Sequence, residues 1–150
     1  IQLHGALNTL NRKPMAKFIS KSVEVNAPIS DVHAYLQNMA NIQRLLPLDK
    51  ISNWSNTEDS CCFKIQNVYT IELKRVNAVL NAEDAETTFE TTDKSPFPFV
   101  LKAKLKSNGS TTTAHQDCDA TINPFMEMMV KGPFQQLFDY MSERLAKEFV

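Results

Sequence analysis

The last quarter of the chain constrains the fold most. After Asn123-Pro124, the residues Met126, Met129, Val130, Pro133, Phe134, Leu137, Met141 and Leu145 fall at i, i+3, i+4 and i+7 spacing, the mark of a helix with one apolar stripe. Glu127, Lys131, Gln135, Asp139 and Glu143 lie opposite. Proline suits a first helical turn, so the stretch reads as one helix reaching about Phe149, and Gly132-Pro133 predicts a bend in it. Arg144 and Glu148 fall on the apolar side of an ideal helix, which predicts that the helix bends or leaves its partner there. A helix of this length spans roughly 39 Å and needs an equally broad apolar partner.

That partner is written upstream as six short segments of period two. They cover residues 50–55, 61–66, 71–74, 86–92, 97–106 and 111–122. The cleanest has Phe97, Phe99, Leu101, Ala103 and Leu105 alternating with Lys102, Lys104 and Lys106, as a half-buried strand requires. Asn108-Gly109 is a hairpin signal. Six strands in succession with short turns predict an antiparallel meander. Ahead of them, residues 18–25 read as one more strand, with Ile19, Val23 and Val25 on one face and Lys21 interrupting it. Ser30 then reads as the N-cap of a short helix carrying Val32, Tyr35, Leu36 and Met39, and a second short helix ends before Pro47. The fold class is therefore α+β. Seven strands of a curved antiparallel sheet, roughly 33 Å across, face a long C-terminal helix, and two short helices follow the first strand.

Composition narrows the function. The 150 residues suit one domain, and 43% apolar with 22% charged residues is ordinary globular composition. With 16 basic and 17 acidic residues the net charge is −1, which excludes a strongly basic nucleic-acid-binding domain. No apolar run approaches the roughly 18 residues of a membrane span, so no integral membrane association is expected. The glycines are Gly5, Gly109 and Gly132, too scattered for a dinucleotide or phosphate loop. Cys61, Cys62 and Cys118 are a poor disulfide framework and read as reduced thiols in a cytoplasmic protein. Residues 1–14, which hold His4, are unpatterned and read as an N-terminal extension, native or not, before a domain spanning residues 15–150. They carry no signal-peptide pattern.

The inward positions predict the lining of the space between sheet and helix: Phe63, Ile65, Tyr69, Leu73, Phe89, Phe97, Phe99, Leu101, Phe125, Met126, Met129, Phe134, Leu137 and Met141. These side chains either meet in a solid core or line a cavity, where thioethers would adapt to a variable guest. Gln116, Cys118 and Arg75 join the list of ligand contacts. Arg75 interrupts an apolar face and would suit a carboxylate or phenolate head group, or else lies in solvent at the sheet edge. Asn53 and Asn67 are further inward polar candidates. His33 reads as a packing replacement for a ring, or as a polar group at the cavity mouth. His115, Asp117 and Asp119 read as a solvated outer row. No nucleophile elbow or HExxH pattern is present, so catalytic residues, metal and cofactor are all expected to be none.

Several segments together resemble the START-like, Bet v 1-like superfamily, also called SRPBCC or polyketide cyclase-like, in its small bacterial members. They are Val23-Glu24-Val25-Asn26-Ala27-Pro28-Ile29-Ser30-Asp31-Val32, Trp54, Ser60-Cys61-Cys62-Phe63-Lys64-Ile65, Ser95-Pro96-Phe97-Pro98-Phe99, and Asn123-Pro124-Phe125-Met126 with the run from Met129 to Phe134. The resemblance covers about residues 17–149. It implies a helix-grip fold, in which the sheet wraps the C-terminal helix, and an enclosed cavity for lipids, quinones or polyketides. The expected function is non-catalytic binding or transport of such a small apolar or amphipathic ligand by a monomer or weak homodimer. Two alternatives stand beside it. One is a cyclase, dehydratase or hydrolase built on Tyr69, Arg75 and Gln116. The other is a protein-interaction or co-chaperone module with an exposed apolar patch.

Overall fold

In the order of the chain, the alternating segments become strands of one sheet. The computed structural model describes residues 15–150; residues 1–14, with His4 and the expected extension, lie outside the described residues. The strands are β1 (Met15–Ile19), β2 (Val23–Val25), β3 (Ile51–Asn56), β4 (Ser60–Ile65), β5 (Tyr69–Leu80), β6 (Asp84–Thr91), β7 (Phe99–Ser107) and β8 (Thr112–Thr121). The helices are α1 (Ile29–Gln37), α2 (Met39–Leu45) and α3 (Pro124–Lys147). All neighbours pair antiparallel in the order β1-β8-β7-β6-β5-β4-β3, with β2 also on β8. This is the helix-grip arrangement. Gly109 turns β7 into β8 with φ +85°, a left-handed geometry that glycine adopts without penalty.

The sheet buries one face. Cys61 and Phe63 of β4, Ile71 and Leu73 of β5, Phe99, Leu101 and Leu105 of β7, and Ala114, Cys118 and Ala120 of β8 all turn inward. From the other side α3 contributes Val130, Phe134, Phe138, Met141, Ser142 and Leu145. Val32, Leu36, Met39, Ile42 and Leu45 of α1 and α2 plug one end. Phe97 is buried too, but in the loop before β7 rather than within the strand.

The first strand departs from its sequence pattern. It is two strands, so the sheet has eight, and Ile19 points out while Ala16, Phe18 and Ser20 point in. The break has a local cause. Ser20 N donates to Gln116 O (2.9 Å), and its hydroxyl accepts from Gln116 N (2.8 Å), taking the place of a ladder carbonyl. The chain then resumes against β8 at Val23.

The helix starts differ from expectation at α1. Pro28 occupies the N-cap and Ser30 lies inside the first turn. α2 is capped by Asn38, whose Oδ1 accepts from Ala40 N (3.1 Å). α3 is capped by Asn123, whose Oδ1 accepts from Met126 N (2.8 Å), and it runs unbroken through Pro133 to Lys147. Because Pro133 has no N–H, the Met129 carbonyl loses its helical partner. No described helix is long and apolar enough to cross a membrane.

Candidate functional site

The interior between sheet and helix is nearly filled. One void of about 40 Å³ lies under α1 and α2, bordered by Leu73, Phe89, Leu101, Met141 and the polar pair Gln116 and Ser142. A second of about 20 Å³ lies between Phe63, Phe99, Phe138 and Met141. Such spaces admit water and not a ligand of ordinary size. The enclosed hollow that the resemblance implies is therefore not open in this structure.

Two spaces are larger: an open surface hollow of about 530 Å³ bordered by Val79, Glu86, Lys104, Lys106 and His115, and a more apolar cleft of about 270 Å³ beside α3. Residues 47–51 form one wall, the turn from β4 to β5 the second, and the Pro133-to-Tyr140 flank of α3 the third. Ile51, Ile65, Pro133, Phe134 and Leu137 make its surface apolar, while Lys50, Gln66, Tyr69, Gln136 and Tyr140 supply polar atoms. Lys50 is the single charged residue of the lining. Its ammonium and the two tyrosine hydroxyls have no hydrogen-bond or ion-pair partner among the described residues.

The cleft is held by its backbone. Gln66 (φ +52°) and Asn67 (φ +58°) are left-handed non-glycine residues, an arrangement that persists only when neighbours enforce it. Gln66 N donates to Lys50 O (2.7 Å), Val68 N to Ile65 O (3.0 Å), and Ser52 Oγ to Asn67 Oδ1 (2.9 Å). These bonds tie the wall at Lys50 to the turn. Asn53 is also left-handed, at a bulge in β3. The floor is fixed by aromatic packing. Phe134 lies 5.3 Å from Phe97, 5.8 Å from Phe138, 5.9 Å from Phe99 and 6.1 Å from Phe18, ring centre to ring centre. Ile65, Phe134 and Leu137 belong to both the cleft and the smaller void, so they are the partition between the two.

The residues singled out in the sequence divide among several places. Ile65, Tyr69, Phe134 and Leu137 meet in the cleft. Phe63, Leu73, Phe89, Phe99, Leu101, Gln116 and Met141 border the two inner voids. Phe97 and Cys118 are buried without bordering any of these spaces. Met126 packs against the core, but Phe125 is 73% exposed and Met129 54% exposed. Helical spacing continues through these two residues, yet the first turns of α3 have no described element over that flank. Arg75 borders none of these spaces and is half-buried at the sheet edge. Its guanidinium donates to Gln37 O, at the carboxyl end of α1, and to Glu58 O (3.4 Å). Cations are favoured at a helix carboxyl end.

An acid–base group drawn from Tyr69, Arg75 and Gln116 is not formed. Tyr69 is in the cleft, and the Arg75 guanidinium reaches from β5 to the carboxyl end of α1. Gln116 donates to Phe138 O (3.3 Å) and Ser142 Oγ (3.4 Å), and Ser142 bonds Ser20 (2.9 Å). Burial pushes the thiols of Cys61 and Cys118 up to about 12, which leaves them as small apolar fillers. Burial lowers the pKa of His33, and its Nδ1 has no partner within the described residues. Asp117 is buried rather than solvated: its Oδ2 pairs with Lys104 (2.9 Å), while its Oδ1 lies 3.2 Å from His115 Nε2 without a hydrogen bond. No group of three metal-ligating side chains occurs among the described residues.

Sequence reasoning missed Pro47, Lys50, Ile51, Gln66, Gln136 and Tyr140. A signal for two of them was present. Gln136 and Tyr140 follow Pro133 at i+3 and i+7, on the flank of the buried stripe rather than at its centre.

Comparison with known proteins adds the fold alone. No protein-family model and no curated protein matches the chain. Solved structures do. XoxI from Bacillus cereus is 16% identical over 89% of this chain and 95% of its own, with a TM-score of 0.67. A START superfamily protein from Mycobacterium smegmatis is 12% identical over 90% and 96%, with a TM-score of 0.66. Norcoclaurine synthase from Thalictrum flavum, in complex with dopamine and hydroxybenzaldehyde, is 12% identical over 95% and 90%, with a TM-score of 0.64.

Proposed function

From a chain that folds as START-like and Bet v 1-like proteins do, we propose non-catalytic binding of a small apolar or amphipathic ligand in the cleft beside Pro133. The observation that carries this reading is the cleft's composition: an apolar surface of Ile51, Ile65, Pro133, Phe134 and Leu137, with Lys50, Tyr69 and Tyr140 unpaired around it. Ligand sites combine a mostly apolar wall with a few polar atoms that fix orientation. Its 270 Å³ falls just below the roughly 300 Å³ at which such sites begin. A rotation of Leu137 would extend it inward, because that side chain separates it from the next void. An amphipathic guest fits best, with its tail on Phe134 and Leu137 and its acceptor at Tyr69, Tyr140 or Lys50. The neighbour complexed with two small phenols is an enzyme. In this chain Arg75 and Gln116 are bonded away from the cleft that holds Tyr69, which favours binding over turnover by that set.

The test is displacement of the fluorescent probe anilinonaphthalene sulfonate by a fatty acid, a naphthoquinone and a flavonoid. Saturable binding of the probe and displacement by at least one competitor are expected. Leu137→Trp, which fills the cleft, should weaken binding by about tenfold or more, or roughly 1.4 kcal/mol. Equal binding by wild type and Leu137→Trp, or no saturable binding by wild type, would overturn the proposal.

A further inference from the structure

β5 is twice as long as its neighbour requires. Its residues from Tyr69 to Lys74 pair with β4, while the strand continues to Leu80 against β6 alone. Arg75 N donates to Asp59 O (2.7 Å), and the chain turns at Asn81, whose N donates to Asp84 O (2.8 Å). Between these points, residues 76–80 have no described strand or loop bonded to their outer edge. Their sequence is Val76-Asn77-Ala78-Val79-Leu80, without charge, proline or glycine. Val76, Val79 and Leu80 are 46%, 45% and 44% exposed.

The other sheet edges carry features that discourage pairing. β1 is short and presents Lys17, which is bound to Asp119 (3.7 Å) on the outer face. β3 is bent by its bulge and the left-handed Asn53. Lysines, bulges and short length are the usual means of keeping an edge single. The β5 extension has a bulge at its start, between Arg75 and Asn77, and no such feature beyond it.

We propose that residues 76–80 are a self-association edge, where two copies of the chain join their sheets by antiparallel pairing of β5 with β5. An open ladder is complemented by another extended, uncharged strand with a free edge, and every copy carries one. The two-fold register centred on Ala78 matches the uncharged segment to itself, with Val76 against Leu80 and Asn77 against Val79. It is an isologous contact and closes at two copies. Lys74 at one end then approaches the second copy's acidic turn, which holds Glu83 and Asp84. Glu58 and Asp59 beside Arg75, and Lys106 opposite Asp84, offset part of that attraction. The contact therefore rests on the ladder and its apolar side chains, and salt should change it little.

Sedimentation equilibrium from micromolar to millimolar protein tests this. The average mass should rise from one chain toward two, and amide exchange at residues 76–80 should slow over the same range. Val79→Lys and, separately, Asn77→Lys put cations on exposed sites that meet across the pair. Each should raise the dissociation constant about tenfold or more, with an unchanged circular dichroism spectrum and melting temperature. A single-chain mass at every concentration would overturn the proposal, including when an extended peptide from another protein binds the edge instead. So would lysine variants that associate as tightly as wild type.

Discussion

Where α1 and α2 close the grip, Gln37, Gln116 and Glu148 are bonded as they approach the interior, His33 Nδ1 being the exception; beside Pro133, nearer the middle of α3, the ends of Lys50, Tyr69 and Tyr140 are not. At the closed end Gln116 is held by Phe138 O and Ser142, and Gln37 Nε2 donates to the buried Thr87 hydroxyl (2.8 Å). Glu148, with only 6% of its side chain exposed, takes bonds from Tyr35 Oη (2.8 Å), Arg44 Nε (2.7 Å) and Arg144 Nη2 (3.0 Å). This cluster explains why two charged residues fall on the apolar side of α3. They tie its last turn to both short helices. The voids there are about 40 and 20 Å³. Beside Pro133 the void is about 270 Å³, and Lys50, Tyr69 and Tyr140 lack partners. Polar groups left unbonded beside an apolar wall are available to a guest. The contrast assigns stability to the C-terminal turns of α3 and recognition to its middle, from Pro133 to Tyr140.

The contrast breaks first if the closed end is not tightly packed. Leu101 is 4% exposed and borders both small voids. Leu101→Ala should cost about 2–5 kcal/mol in denaturant unfolding, while probe affinity at the cleft stays within about twofold, or roughly 0.4 kcal/mol. A loss below about 1 kcal/mol would mean that the site is loose enough to relax.

The Glu148 cluster gives a smaller effect with a distinctive pH dependence. The Tyr35 hydroxyl, with Arg44 and Arg144, holds the Glu148 carboxyl below its ordinary value. A folded pKa below the unfolded one means the contribution is complete above the unfolded value of roughly 4.3. It is lost as pH falls through the folded value. Glu148→Gln should therefore cost about 1 kcal/mol near neutrality. The difference from wild type should be flat at neutral pH and shrink as the solution becomes acid. Thermal melts across that range measure it, and a difference that grows on acidification would contradict the cluster's role.

These regions were not equally legible in the sequence. Strand alternation from Phe99 to Leu105 and the stripe from Val130 to Leu145 depend on one-sided burial, so pattern alone located the sheet and the helix that crosses it. The split of the first strand depends on a side-chain bond from Ser20 to β8, which periodicity cannot register. The cleft is harder still. Its walls meet through a turn at Gln66 and Asn67 and a loop at Lys50, joined by backbone bonds that any side chains could make. Phe125 and Met129 carry the same spacing as the buried stripe. Only the extent of the sheet decides that they stay outside.

The smallest effect gives the finest test of the contrast. Tyr140→Phe and Tyr69→Phe each remove one hydroxyl that bonds nothing else among the described residues, so neither should change the melting temperature. Against a ligand with an acceptor, such as a naphthoquinone, each should weaken binding by about two- to fivefold, or roughly 0.4–1 kcal/mol. Against a purely hydrocarbon guest neither should weaken it. A tyrosine that only fills space would give the same small change with both ligands. One that orients a head group would distinguish them, and isothermal titration of the two ligands against the two variants reads that difference directly.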